Sequence, residues 1–472
     1  MSNDVTLEPP VASVSISGRP HVPAAERLAA GRALRDKVPH RLQGIWKRHK
    51  DHVDPITVLR ASDEGRLARL IPIRYGRMLQ TPFTFYRGSA AVMAADLAKT
   101  PATGVWVQAC GDCHLLNFGG FATPERNILF DINDFDETLP APWEWDIKRL
   151  VVSFVLAARS NGLSDRDGKD AAIACAKSYR KRLSEYSEMS PLEVWYARIT
   201  SEDLAGLVTN KRIKARIRKR VAEATRQGGS DLAFPQLAGM VGGQIRIQDD
   251  PPLIYHPATK ELGGENLQSL LEENLKAYRE SLADDRRILL DHYRIVDGAI
   301  KVVGIGSVGT MCVITLMMSA SNAPLFLQWK EARPSVLEPY AGRSVYSHYG
   351  QRVVMGQRLM QPATDVFLGW LTGKLGRHAY VRQLRDAKIK PLVEAFDAEL
   401  LYQYGKACGW ALARAHAKAG DALTISGYLG PKGDFDEAMG RFAVKYADQA
   451  ERDHAALKAA VRAGKIKVET EA

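Results

Sequence analysis

The sequence predicts an α+β protein, mainly helical, with a strand-rich segment set between helical regions. Three observations carry this. Apolar residues recur at helical spacing through most of the first 290 residues and again from Leu400 onward. Between those regions, Tyr293 to Arg333 reads as strand, glycine turn, strand, turn and strand, with β-branched and aromatic runs separated by Gly-rich and Ser-Asn-Ala-Pro breaks. Val105 to Arg149 pairs two apolar strands with a polar loop and a cluster of carboxylates. The expected division is a disordered tail over 1–22, a mainly helical region over 23–292, a small β-rich region over 293–388, and helices over 389–472.

Composition bounds the function. At 472 residues the chain could hold two or three domains and bury a large core. An apolar share of 46% with 25% charged residues describes a soluble globular protein, and no apolar run approaches the roughly 18 residues of a membrane span. The first residues lack a basic start followed by an apolar segment, so a cytoplasmic location without membrane partners is the expectation. The net charge of +11 attracts anions in general and selects none. Five cysteines, an odd and sparse set, point to reduced packing thiols. Cys110-Gly-Asp-Cys113-His114 spells the c-type haem attachment pattern, but that chemistry needs export, and nothing in the N-terminal residues directs it.

Residues 1–22, rich in Pro, Ser and Val, lack periodicity and read as the tail. Leu28, Leu34, Val38, Leu42 and Trp46 define an amphipathic basic helix over Ala24 to Lys50, kinked at Pro39 and expected to dock on the core. Arg66 to Lys99 is mainly helical with a break at Thr81-Pro82-Phe83; its Arg74, Arg77 and Arg87 could grip phosphate with a planar fork or serve in ion pairs. The first apolar strand then ends in the loop Gly111, Asp112, Cys113, His114 and Asn117. A Gly119-Gly120 turn follows, then a second strand, Asn127 to Ile132, which runs into Asp131, Asp134, Asp136 and Glu137. Asp131 and Glu137 are expected to be solvated or helix-capping carboxylates. Pro142 to Ala158 reads as a helix, and further helices follow to Gln227. The basic run Lys211 to Arg220 carries Ile213 and Ile217 at a spacing of four, as a helix with one buried stripe and a solvated basic face would.

After a Gly-rich break at 239–243 and strand-and-turn material over 244–262, helix resumes from Asn266 to Asp291. Gly304-Ile-Gly306-Ser-Val-Gly309 has the G-x-G-x-x-G spacing, but the short β-branched segment after it favours strand, glycine turn, strand over a dinucleotide-binding βαβ unit. The next strand, Pro324 to Trp329, ends at Lys330. A helix over Gly350 to Gln361, strands over Val366 to Trp370 and Ala379 to Leu384, and helices over Leu400 to Ala419 and Asp434 to Ala463 complete the chain.

At these residues the chain resembles known proteins. Asp112-Cys-His-Leu-Leu-Asn117 is similar to the D-x-H-x-x-N catalytic loop of aminoglycoside phosphotransferases and choline kinases. Asp134-Phe135-Asp136 stands where the kinase-like fold keeps its metal-binding Asp-Phe pair, and Leu327-Gln-Trp-Lys330 has the shape of the strand that presents a phosphate-binding lysine. From about Asp54 to Ala460, and especially at Tyr86-Arg87-Gly88 and YVRQLRDAK, the chain also resembles a bacterial family of unknown function. The resemblance implies a kinase-like two-lobed α+β fold using ATP and Mg²⁺, in which 293–388 forms a small antiparallel β lobe that covers the nucleotide, and 23–292 with 389–472 forms a large, mainly helical lobe. Asp112 would accept the acceptor hydroxyl's proton, Asn117 and Asp134 would hold the metal with Asp136 assisting or replacing Asp134, Lys330 would bind phosphate, and the backbone around Gly304, Gly306 and Gly309 would cover the phosphates. Asp146 would support the loop backbone, His114 would brace it, and Glu338 is the nearest substitute for the lysine's usual glutamate. Because the glycine loop and lysine follow the catalytic loop by about 190 residues, the implied fold is circularly permuted, with Leu400 to Ala419 standing for the helix that ordinarily precedes the loop. Cys110 replaces a histidine of the phosphotransferase pattern, and the gap from Asn117 to Asp134 is longer. Nucleotidyl transfer and a catalytically silent nucleotide-binding scaffold therefore stay open. A nucleic-acid-binding role ranks third, since no reader motif is present. The acceptor, a small molecule or a protein, is not specified.

Overall fold

The structure, a computed structural model, describes residues 22–208, 210–227, 230–384 and 388–469. All but the last residue of the expected tail lies outside them, as do Arg385, Asp386 and Ala387 of the YVRQLRDAK segment and the side chains of Ile213 and Ile217. The chain is a mixed α+β protein with a helical body and small antiparallel sheets.

The body is built on helices Trp143–Ser160, Asp165–Ser187, Ala398–Ala419 and Asp434–Arg462. The first is buried from Trp143 through Ala158, polar residues included, so its Glu, Asp, Lys and Arg must all find partners inside the protein. Small residues set the spacing of the second and third. A Cβ at Gly409 would stand 2.1 Å from the Cys175 carbonyl oxygen, so the two backbones meet where only glycine leaves room. The N-terminal helix Ala24–Lys37 docks on Ala422–Leu429 by the same device, with Gly31 against the Thr424 carbonyl and Gly427 against that of Leu28. The helical region before the Gly111 to Asn117 loop breaks where expected, because the Thr81 side chain caps the helix Pro82–Gly88.

Six antiparallel strands form the largest sheet, in the order Gly369–Thr372, His378–Gln383, Pro324–Glu331, Cys312–Ser319, Tyr293–Lys301 and Ile254–Tyr255. Its two faces follow the period-two rule. Leu325, Leu327 and Trp329 pack with Tyr278, Leu282 and Leu371 on one face, whereas Phe326 packs with Ile314, Leu316, Leu237 and Ile247 on the other. Residues 237–291, assigned by sequence to the helical lobe, thus supply the sheet's edge strand and part of both cores. The strand expected at Val366 begins only at Gly369, because the Asp365 carboxylate accepts the amide hydrogens of Phe367 and Gln383 and holds the chain in a turn.

Near the loop the strands differ from expectation in two places. Gly119-Gly120 is not a turn but the middle of strand Phe118–Ala122, which pairs with Ile128–Ile132 and, on its other edge, with Lys388–Ile389. Cβ atoms there would crowd the carbonyl and side chain of Ile389, which accounts for the glycines. Leu139–Pro142, whose two prolines argue against a strand, forms a two-stranded ladder with Trp106–Ala109. Gly420, at the end of helix Ala398–Ala419, forms a bridge to Val107 of that ladder.

Candidate functional site

One face of helix Trp143–Ser160 shapes the loop after strand Trp106–Ala109. Residues Asp146, Arg149 and Ser153, spaced by three and four, share that face. The Asp146 carboxylate accepts the backbone N–H groups of Cys110 at 2.6 Å and Gly111 at 3.0 Å, and Ser153 Oγ accepts that of Leu115 at 3.0 Å. Arg149 Nε donates to Asp112 Oδ1 at 2.6 Å, and its guanidinium lies 4.4 Å over the Tyr86 ring. Asp146 Oδ2, which accepts the Cys110 amide, also meets His416 Nε2 at 3.2 Å, and Tyr179 hydroxyl lies 2.8 Å from His416 Nδ1, which ties helix Ala398–Ala419 to the loop. Gly111 has φ +85°, and a Cβ there would stand 2.2 Å from the Glu137 carbonyl oxygen, so the turn before Asp112 requires glycine.

Asn117 joins the loop to the acidic segment. Its side-chain amide donates to the Asp112 carbonyl at 2.6 Å, and its own carbonyl accepts from Asn133 N–H at 2.7 Å. Asp134 Oδ1 accepts the Asp136 amide at 3.2 Å. The Asp136 carboxylate receives three donors: Lys330 Nζ at 2.6 Å, Tyr380 hydroxyl at 2.5 Å and Ser307 hydroxyl at 3.1 Å. Lys330 and Tyr380 are register partners on neighbouring strands, and Ser307 sits in the glycine loop. The carboxylate facing the lysine is therefore Asp136. Glu338 is not at the ammonium; its charge acts on Arg352.

Residues 304–309 connect strands Tyr293–Lys301 and Cys312–Ser319. Gly304 at φ +66° and Gly309 at φ +88° need glycine, whereas Gly306 has an ordinary φ. Carbonyls of this loop are held from the helical side: Arg66 donates to Gly306 and Val308, and Arg77 to Gly304. A cleft of about 280 Å³ opens between the two parts, lined by Asp112, Asn117, Asp134, Asp136, Gly304 and Gly306, with Ser307 and several arginines. Lys330 lies behind Asp136, and Gly309 packs toward Arg66 outside the lining.

Burial pushes the Asp136 carboxyl up, but Lys330, the Tyr380 hydroxyl and Arg382 more than offset it and hold it at about 2. Asp134 is raised by burial and by repulsion from Asp136. Burial also raises Asp112, against the pull of Arg149. For Lys330 burial disfavours the ammonium, yet Asp136, Tyr380 and Asp134 hold its pKa well above the ordinary lysine value. Burial holds the His114 pKa well below the ordinary histidine value; its Nδ1 is buried without a hydrogen-bond partner, and its Nε2 lies 3.9 Å from Asp112 Oδ2.

Two carboxylates expected at the surface are not there. Asp131 is fully buried and pairs with Arg414 at 2.7 Å, because its strand faces helix Ala398–Ala419. Glu137 accepts Val336 N–H at 2.8 Å, and burial raises it to about 7. Among the described residues, no group of three or more His, Cys, Asp and Glu side chains is arranged to hold a metal. Asn117, Asp134 and Asp136 bring side-chain oxygens to the cleft, and the Asp136 carboxylate is already held by Lys330, Tyr380 and Ser307. All five cysteines are buried free thiols.

Arg149, Tyr380, Ser307 and Arg66 escaped the sequence reading. Arg149 was findable, since it lies one helical turn beyond Asp146. Tyr380 carried no local signal, because its place depends on strand register.

An α+β protein with a polar cleft between a helix-braced loop and a glycine-rich hairpin is the class defined here. The chain belongs to the bacterial family described as "Uncharacterized protein conserved in bacteria (DUF2252)", which matches residues 66–460. No curated protein and no solved structure matches it. Among the described residues no helix is long and apolar enough to cross a membrane.

Proposed function

We propose that the protein is an ATP- and Mg²⁺-dependent phosphotransferase of circularly permuted, kinase-like fold, acting on a hydroxyl group. The observation that carries this reading is the 2.6 Å contact between Lys330, on the second strand after the glycine loop, and Asp136, 194 residues earlier in the acidic segment beside Asp112. The Val107–Gly420 bridge supports the permutation, since it lets helix Ala398–Ala419 lead in space into the strand that delivers the loop.

In this reading Asp112 orients the acceptor hydroxyl and takes its proton, and Arg149 fixes the carboxylate's direction. Asn117 and Asp134 would hold Mg²⁺, which when bound neutralises charge on the phosphates. Asp136 serves as the lysine's carboxylate partner, where kinases use a helix glutamate, and Lys330 grips phosphate beneath the glycine loop.

The test is calorimetry of ATP binding with Mg²⁺ to wild type, Asp134→Ala and Lys330→Ala. Binding by wild type that is lost in both variants is the expected result, with ADP rather than pyrophosphate released on turnover. Absence of binding by folded wild type refutes the reading.

A further inference from the structure

The cations around the cleft are nearly all spoken for. Arg66 donates to the carbonyls of Ser62, Gly306 and Val308; Arg74 pairs with Asp63 at 2.5 Å; Arg149 and Lys330 hold Asp112 and Asp136. Arg87 differs. It lines the same cleft, at the end of helix Pro82–Gly88, yet it makes no hydrogen bond or ion pair with any described residue, and its Nε is shut off from solvent without a partner. Its surroundings are mainly other groups of the site. The Arg87 carbonyl oxygen lies 3.6 Å from where a Cβ on Gly306 would sit, the nearest atom to that point, and Asp112 supplies the leading attraction on the guanidinium.

A guanidinium is costly to remove from water without a counter-ion, and its planar fork matches the oxygens of a phosphoryl group. Arg87 lines the same cleft as the glycine loop and Asp112, the two sides between which a phosphoryl group would pass from nucleotide to acceptor.

We propose that Arg87 binds the transferred γ-phosphoryl group of the nucleotide and stabilises it during transfer. The inference rests on the phosphotransferase reading above. In the step, the bond from phosphorus to the acceptor oxygen forms as the bond to the β–γ bridging oxygen breaks. The acceptor's proton goes to Asp112, and ADP leaves with the electron pair. Arg87 neutralises charge on the non-bridging oxygens throughout. It is then a catalytic residue contributed in cis by the chain segment that precedes the loop.

The experiment compares Mg-ATP and Mg-ADP binding by calorimetry for wild type, Arg87→Gln and Arg87→Lys, with thermal unfolding of each variant as a control. A charge-assisted contact confined to the γ-phosphate predicts that Arg87→Gln weakens ATP binding about tenfold or more and leaves ADP binding unchanged. Arg87→Lys recovers part of the loss, because a point charge replaces the fork. An unchanged ATP-to-ADP affinity ratio in Arg87→Gln overturns the proposal and moves the unpaired guanidinium to an anionic group on the acceptor. A wild type that binds neither nucleotide removes the phosphotransferase reading itself, and that outcome is distinct because it needs no variant.

Discussion

The contact between Lys330 and Asp136 makes a quantitative demand on stability. Lys330 is buried, with a side chain 5% exposed, while the Asp136 side chain is 23% exposed and keeps the hydroxyls of Ser307 and Tyr380 when the ammonium is removed. Lys330→Met removes the charge and nearly preserves the volume. Breaking a buried ion pair from one side costs about 3–5 kcal/mol, and the partial exposure of Asp136 together with its two remaining donors puts this case at the lower end, about 3 kcal/mol. Asp136→Asn leaves the ammonium without its carboxylate and costs a similar amount. The double variant no longer buries an unpaired charge, so its cost is about 3 kcal/mol rather than the sum of the two, a coupling of about 3 kcal/mol. With a melting entropy of about 2 cal/mol/K per residue, a chain of this length loses only about 1 °C per kcal/mol, so denaturant titration resolves the effect better than a thermal scan. Single-variant losses that add to within about 0.5 kcal/mol would falsify the claim that the two motifs share one electrostatic site.

Three further outcomes follow from the same geometry. Asp146→Asn turns an acceptor of two buried amide hydrogens into a group that presents a donor, and is expected to cost about 2–3 kcal/mol; hydrogen exchange at Cys110 and Gly111 should accelerate with it, and unchanged protection at both amides contradicts the bracing role. Burial raises Glu137 to about 7, above its unfolded value of about 4.3, so the folded state binds this proton more tightly and its contribution to stability falls as pH rises between those values. Glu137→Gln should therefore gain on wild type, by up to on the order of 3 kcal/mol, between pH 5 and pH 8, and a pH-independent difference in denaturant midpoints refutes the assignment. Gly409→Ala places a Cβ 2.1 Å from the Cys175 carbonyl and should cost about 2–3 kcal/mol as helices Asp165–Ser187 and Ala398–Ala419 move apart, which denaturant titration would register; a neutral result contradicts the close approach.

Local pattern was enough to place much of this protein. The alternation of Leu325, Leu327 and Trp329 with Phe326 marks a strand whatever it packs against, and the helical repeat of 398–419 and 434–462 identifies those helices from the chain alone. Asp112, Asn117, Asp134 and Lys330 stand out as candidates for the same reason: residue type and position relative to a strand end or a glycine turn are local features of the chain. Failures came where a distant partner overrode the local signal. Gly119-Gly120 looks like a turn until Ile389 arrives beside it, and Leu139–Pro142 becomes a strand only because Trp106–Ala109 lies next to it.

By itself, then, the sequence determined the mixed α+β class, most of the elements and the side chains able to do chemistry, since propensity and periodicity act over a few residues. Tertiary structure alone decided which of those side chains meet. It gave Lys330 to Asp136 and not to Glu338, buried Asp131 against Arg414, brought Tyr380 to the site through strand register, and left Arg87 facing the cleft without a counter-ion. Contacts across hundreds of residues are set by how faces pack and strands align, and by the cost of burying a charge without a partner, none of which a short stretch of chain records.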